Sequence, residues 1–193
     1  MFTHRIDDDL ELRLPEERDA EDLSALIETN RVYLREWMHW LNSSNTIEAQ
    51  RERIRKNRLL YAEGTSLMLH IWRQGSLVGT IGAKNIDQTN KKTEFGYWLD
   101  EKSQGKGIIT RSCEALLNHC FDSLGLNRVE IHCQVENRQS RRIPERLGFT
   151  EEGVLRQNLW HYDHFIDTVV YALLVDDWRK HDEGKKMAQS SSS

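Results

Sequence analysis

Cysteine is scarce in this 193-residue chain, and what there is does not pair: Cys113, Cys120 and Cys133 are odd in number and form no C-x-x-C spacing. A disulfide-stapled secreted domain is therefore not indicated, and a reducing, cytoplasmic setting is the expectation. Long apolar runs are missing too. The longest, Val169 to Val175, covers seven residues against the ~20 that a membrane-spanning helix needs. The start, Met-Phe-Thr-His-Arg-Ile-Asp-Asp-Asp, carries no apolar signal core. There is no excess of positive charge: 27 Lys and Arg face 31 Asp and Glu, for a net −4. That balance argues against direct nucleic-acid binding through a broadly basic surface, though not against a local patch. No internal repeat is visible.

What remains is the profile of one packed domain. A globule of this length buries roughly 70% of its unfolded surface. Charged residues reach 30% and mean hydropathy is −0.70, yet six Trp, five Tyr and five Phe point to a core rather than to disorder. Residues 1–180 read as a single domain and 181–193 as a polar, disordered tail. Leu10, Leu12 and Leu14 alternate as a strand. Asp19 is placed to cap a helix through Leu23, Leu26 and Ile27. A second helical stretch runs from Tyr33 to Leu41, and a third starts at the cap Thr46 and runs to about Glu63. Strands follow at 66–73 and 77–84 around a Gln-Gly-Ser hairpin signal, then at 93–99. A helix from Gly107 places Ile109, Cys113, Leu116, Leu117, Cys120, Phe121 and Leu124 on one stripe and stops at Gly125. A strand at 128–134, a helix from Asn137 to Leu147 and strands at 152–158 and 165–175 complete an α+β order around a mixed sheet.

The stretch from Glu94 to Thr110 runs from strand through a glycine turn into a helix. Glycines there let backbone N–H groups converge on an anion at the helix start, where the macrodipole adds positive charge. A pyrophosphate suits such a loop, and a plain turn suits it equally well. Gly105-Lys106-Gly107-Ile108 does not spell a Walker A loop. With Thr110 in the third glycine position and five residues between Leu99 and Gly105, it does not spell a dinucleotide-binding fingerprint either.

Read as Gln104-x-x-Gly107 followed by Ile-Ile-Thr, the loop resembles the acetyl-CoA loop of the GNAT N-acetyltransferases, [QR]-x-x-G-x-[GA], with Ile109 departing from the small last residue. Downstream, Asn137-x-x-Ser140-x-x-Ile143-Pro144-Glu145-Arg146-Leu147-Gly148-Phe149 is similar to the family's N-x-x-[AS]-x-x-[LF]-Y-x-[KR]-x-G-F. Leu34-Arg-Glu-Trp37-Met-His-Trp40 and Gly96-Tyr-Trp-Leu-Asp100 resemble the RimJ/RimL ribosomal-protein branch. The likeness spans roughly residues 8 to 178. It implies a GNAT fold: a mostly antiparallel mixed sheet flanked by helices, with a splayed strand pair holding acetyl-CoA as cosubstrate, no metal, and a homodimer.

The resemblance also implies roles. Gln104, Gly105, Lys106, Gly107 and Ile108 would cradle the CoA pyrophosphate. Tyr97, Trp98 and Leu99 would pair with the pantetheine arm through their backbone, an amide near Trp98 or Leu99 facing the thioester oxygen. Asn137 would bond the arm further along. Glu94 is the candidate base, with Glu151 and Glu152 as competing carboxylates. The family's usual acid is a Tyr where this chain has Pro144, and Ser140 is the candidate replacement, both touching the cofactor and protonating the leaving thiolate. Trp37 and Trp40 either line an acceptor pocket or pack in the core.

Other residues have plainer readings. His161 and His164 lack further ligands at metal spacing. Cys113 and Cys120 belong to the helix stripe. Arg51, Arg53, Arg55, Lys56 and Arg58, interrupted by Glu52, read as a solvated helix face. Arg138, Arg141 and Arg142 are candidates for CoA phosphate. The expected activity is acetyl transfer to a protein α-amino group, of the ribosomal-protein type. A small amine such as a polyamine, amino acid or drug is the enzymatic alternative, and a non-catalytic acyl-CoA sensor the other, motivated by Pro144.

Overall fold

A computed structural model describes residues 3–42 and 44–190. Strands β1 (Thr3–Arg5), β2 (Leu10–Arg13), β3 (Leu67–Arg73), β4 (Ser76–Asp87), β5 (Lys92–Leu99), β6 (Arg128–Gln134), β7 (Thr150–His161) and β8 (His164–Leu174) form one sheet. Their order is β1-β2-β3-β4-β5-β6-β8-β7. All neighbours are antiparallel except β5 and β6, which gives the mixed, mostly antiparallel sheet that the sequence suggests.

Helices α1 (Ala20–Thr29), α2 (Arg31–Trp37), α3 (Ile47–Ala62), α4 (Ile108–Asn118), α5 (Arg138–Arg146) and α6 (Val175–Ser190) flank it. Strand alternation sorts the two faces. Phe95 and Leu99 of β5, Val129, Ile131 and Cys133 of β6, and Val169, Tyr171 and Leu173 of β8 pack with the α4 stripe of Ile109, Cys113, Leu116 and Leu117. On the opposite face Trp98 packs with Leu23, Ile27 and Leu34. Each such buried side chain contributes roughly 1.5–3 kcal/mol of transfer free energy, and these two clusters fix the walls of the site.

Several local signals act as expected. Thr46 accepts from the Ala49 amide at 3.2 Å and caps α3. The β3–β4 hairpin closes on Gln74 and Gly75, both at positive φ (49° and 78°), the signature of the turn that matches strand twist. Gly125, at φ 63°, ends the helical run, whose last turn, His119–Ser123, is a π-turn.

Other expectations fail for identifiable reasons. Asp19 makes no capping bond, because its carboxylate binds the Glu16 amide at 2.9 Å and the buried His70 at 3.2 Å. The helix at 33–41 stops at Trp37, where Met38 turns extended. The gap left at 159–164 is a paired hairpin, with His161 opposite His164; its polar run reads as a loop in sequence. Where a tail is expected from 181, α6 continues to Ser190, anchored by buried Trp178, whose indole N–H donates to Asn118 at 2.9 Å. Residues 191–193 of that tail lie outside the described residues.

Candidate active site

The site begins where β5 and β6 part. They pair from Lys92–Arg128 to Phe95–Ile131 and no further. Beyond that point Gly96–Leu99 still pairs with β4, and His132–Gln134 with β8, so the backbone edges that face each other across the opening are unpaired. An extended ligand can enter such a gap as an added strand.

At the end of β5 the chain turns through Glu101–Ser103 into Gln104, Gly105, Lys106 and Gly107. Gly105 and Gly107 sit at φ 73° and 67°, and a Cβ on either would meet nothing within 4 Å. The conformation demands glycine, and the space beside it is open for an incoming group. Gly107 caps α4, whose first internal bond runs from the Arg111 amide to the Gly107 carbonyl at 3.0 Å. The amides of Ile108, Ile109 and Thr110 therefore have no partner within the helix. Loop and helix start together form an anion cradle that fits a pyrophosphate. Lys106 Nζ folds back to the Lys102 carbonyl at 3.1 Å.

The cradle is braced by Asn30, which the sequence reading passed over. Buried between α1 and α2, it donates to the Leu26 carbonyl at 2.9 Å and accepts from the Glu101 amide at 3.0 Å. The signal was present: Leu23, Ile27, Asn30 and Leu34 lie on one helical stripe, and a polar residue in an apolar stripe must find partners.

On the α4 side of the gap Tyr97 and Ser140 come together. The Tyr97 hydroxyl donates to the Ser140 carbonyl at 3.2 Å, and Ser140 Oγ lies 3.4 Å from Tyr97 Oη and 3.2 Å from Cys133 Sγ. Burial pushes both the Tyr97 phenol and the Cys133 thiol up, so all three groups stay protonated and can serve as donors. Asn137 caps α5, its side-chain oxygen accepting from the Ser140 amide at 3.0 Å, which leaves its NH₂ for another acceptor.

The opposite face carries the acceptor-side candidates. Glu94 shares this face with Gly96 and Trp98 and binds Lys84 Nζ at 2.8 Å. Trp40 lies 6.4 Å from Trp98 between ring centroids, with Arg53 over its outer face at 5.2 Å. The Trp37 carbonyl accepts from Gln134 at 2.9 Å, and the Met38 carbonyl from the Tyr162 hydroxyl at 2.7 Å. This strap, running from the end of α2 to the β7–β8 turn, walls the face that Glu94 occupies. His39 and His161 lie in it. Burial, then Lys84, lowers His39. Burial, then His164 and His39, lowers His161, so both imidazoles are neutral at pH 7. Nothing in the local sequence joins Gln134 to Trp37 or Tyr162 to Met38.

The remaining candidates lie elsewhere. Glu152 is fastened to Arg128 at 2.8 Å, at the beginning of β6, where the strands are still paired. Arg128 holds it below the usual carboxylate range, in an ion pair of the same kind that Glu94 makes with Lys84. Glu151 contacts Arg141 and the Tyr171 hydroxyl, each at 3.2 Å. Arg141 itself turns inward to Tyr171 and the Val135 carbonyl and is not presented to a phosphate, whereas Arg138 and Arg142 are exposed. In the basic run, Arg55 pairs with Glu17 at 2.8 Å and Arg51 with Glu48 at 3.3 Å. Among the described residues no group of His, Cys, Asp or Glu could hold a metal, and no helix is long and apolar enough to cross a membrane.

Comparison with known proteins gives a consistent result. The acetyltransferase (GNAT) domain family matches residues 9–150. YdaF of Bacillus subtilis (strain 168), provisionally named a ribosomal N-acetyltransferase, is 39% identical over 96% of this chain and 100% of its own length. The ribosomal-protein-serine acetyltransferase of Escherichia coli (strain K12) is 34% identical over 90% of this chain and 97% of its own. Among solved structures, the RimL ribosomal L7/L12 α-N-protein acetyltransferase in complex with coenzyme A superposes with a TM-score of 0.87 at 30% identity, over 91% of this chain and 99% of that one. Together with the parted strands, these matches establish that the chain belongs to the GNAT acetyltransferase family and is an acetyl-CoA-dependent N-acetyltransferase.

Proposed function

We propose that the acceptor is the N-terminal α-amino group of a protein, of the ribosomal kind for which the relatives are named. The observation that carries this reading is that two relatives sharing 39% and 34% identity, along nearly their full lengths, are both named for ribosomal acetylation. The chemistry of the acceptor face supports it. An α-amine has a pKa of about 7.7–8.0 against about 10.4 for Lys, so using it avoids roughly 3 kcal/mol of deprotonation. A polyamine would call for unpaired carboxylates, whereas Glu94 faces Lys84, and Glu130 faces His132 and Arg128.

Acetyl-CoA supplies the activated acetyl group. In this proposal the amides from Gln104 to Ile108 hold its pyrophosphate, the backbone of Tyr97, Trp98 and Leu99 pairs with the pantetheine arm, and the NH₂ of Asn137 bonds that arm further along. An amide at Trp98 or Leu99 faces the thioester oxygen; one such donor contributes about 3 kcal/mol as charge develops there. Glu94 takes the amine proton, Ser140 gives a proton to the departing sulfur, and Trp37 and Trp40 line the acceptor. The exposed Val154, Leu155, Trp160 and Phe165 of the β7–β8 hairpin offer an apolar surface to a second copy.

Thiol-reagent detection of CoA release, with peptides bearing free or blocked N-termini, tests the reading. Turnover should require the free α-amine. Equal rates on blocked, Lys-containing peptides or on spermidine would overturn it.

A further inference from the structure

Pro144 lies inside α5, and having no N–H it cannot donate to the carbonyl four residues back, that of Ser140. A helix carbonyl shielded from water and left without a partner is costly. Here the missing bond is replaced from outside the helix. Tyr97, on β5, donates its hydroxyl hydrogen to that carbonyl at 3.2 Å.

The rest of the arrangement follows from counting hydrogens. With its own hydrogen committed, Tyr97 Oη has only lone pairs to offer, so at 3.4 Å it accepts the hydrogen of Ser140 Oγ. Ser140 Oγ can then take the S–H of Cys133 at 3.2 Å. A 3.4 Å O–H···O contact is long against the usual 2.5–3.0 Å and correspondingly weak. A sulfur acquiring negative charge is the stronger competitor for that hydrogen, since charge-assisted bonds are roughly twice as strong as neutral ones.

We propose that Tyr97 is a positioning residue for acyl transfer: it ties Ser140 to β5 across the parted strands, in place of the helix bond that Pro144 removes. The Ser140 hydroxyl is thereby held against the strand whose backbone is assigned the thioester. This inference rests on the acetyl-transfer reading above. The transfer forms a C–N bond and breaks the C–S bond, the electron pair leaving with sulfur. The amine gives one proton to Glu94 and sulfur gains one from Ser140 Oγ; Glu94 then releases its proton to solvent and Ser140 Oγ regains one from solvent, so the protons balance over the cycle.

The test combines three substitutions, with initial rates, acetyl-CoA titration calorimetry and melting of the free protein. Tyr97→Phe should lower kcat about tenfold or more, part of the 10²- to 10⁴-fold that a placed acid provides, with acetyl-CoA affinity unchanged. In a Ser140→Ala background the same change should alter kcat by no more than about twofold, the scatter of independent sites. Tyr97→Phe should also lower the melting temperature of the free protein, and adding Pro144→Ala, which restores the helix N–H, should recover the melting temperature but not kcat.

A wild-type rate for Tyr97→Phe, an equal loss in both Ser140 backgrounds, an unchanged melting temperature, or recovery of kcat together with stability would each overturn the positioning role. A wild-type protein that releases no CoA with any amine would overturn the functional reading, and the positioning role with it. Normal wild-type turnover with any of the preceding four results removes the positioning role alone.

Discussion

Replacing Gly107 with alanine separates what the glycine does for the chain from what it does for the ligand. In the free protein the added methyl meets no atom within 4 Å, so the only penalty is the backbone, held at φ 67°. A left-handed conformation costs an L-residue roughly 1–2 kcal/mol. For a chain of about 190 residues, 1 kcal/mol corresponds to about 2–4 °C, so the melting temperature should fall by about 2–8 °C. The ligand loses more. In the proposed binding mode the methyl occupies the open side of the cradle, where the amides of Ile108 and Ile109 approach the pyrophosphate. Loss of one charge-assisted bond, about 1.5–3 kcal/mol, weakens binding by roughly tenfold to a hundredfold. Gly75→Ala is the matched control, because Gly75 also has positive φ (78°) and open space, but lies in the β3–β4 hairpin. Calorimetric titration with acetyl-CoA, beside thermal melting of both variants, gives the answer. If Gly107→Ala melts like Gly75→Ala and binds acetyl-CoA as tightly as the wild type, the loop is not the pyrophosphate cradle.

Glu94→Gln should lower kcat with acetyl-CoA affinity retained and remove the low-pH limb of the rate profile; an unaltered profile would transfer the base role to Glu151, Glu152 or water. His161 adds a pH effect on stability. Its folded pKa lies below the ordinary imidazole value of 6.5, so the unfolded chain takes up the proton first and stability falls as pH drops through 6.5 toward the folded value. His161→Asn should flatten that part of the melting-temperature curve, and parallel curves for the two proteins would show that His161 does not contribute.

The features legible in the sequence are those written in neighbouring residues. Gln104-x-x-Gly107, the α4 stripe, the Thr46 cap and the Gln74-Gly75 turn each depend on a spacing of four residues or fewer, and each is found in the fold. Glu152 shows the limit. Beside Gly148-Phe149 it is as plausible a base as Glu94, and only the register of β6 against β8 and β7 reveals Arg128 beside it. Tyr97 is similar: the sequence gives its backbone a role, whereas its hydroxyl acts 43 positions away on Ser140. The Gln134–Trp37 and Tyr162–Met38 bonds span 97 and 124 positions. Such pairs arise from packing, for which a single chain read in order carries no marker. The β1 strand, only three exposed residues long, has no hydrophobic pattern to announce it.

The parting of β5 from β6 also divides the sheet into two halves of unequal size. Four residue pairs hold the two strands together, while seven register pairs join β4 to β5 and seven join β6 to β8. Residues 3–99 thus build one five-stranded body and residues 128–174 another of three strands, the two meeting at a short seam, with the α4 core packed beneath. A molecule lying in the open end and bonding both backbone edges acts as a splint between these bodies. In the proposed binding mode acetyl-CoA bridges the two halves of the sheet as well as donating its acyl group, and release of free CoA leaves the seam unbridged.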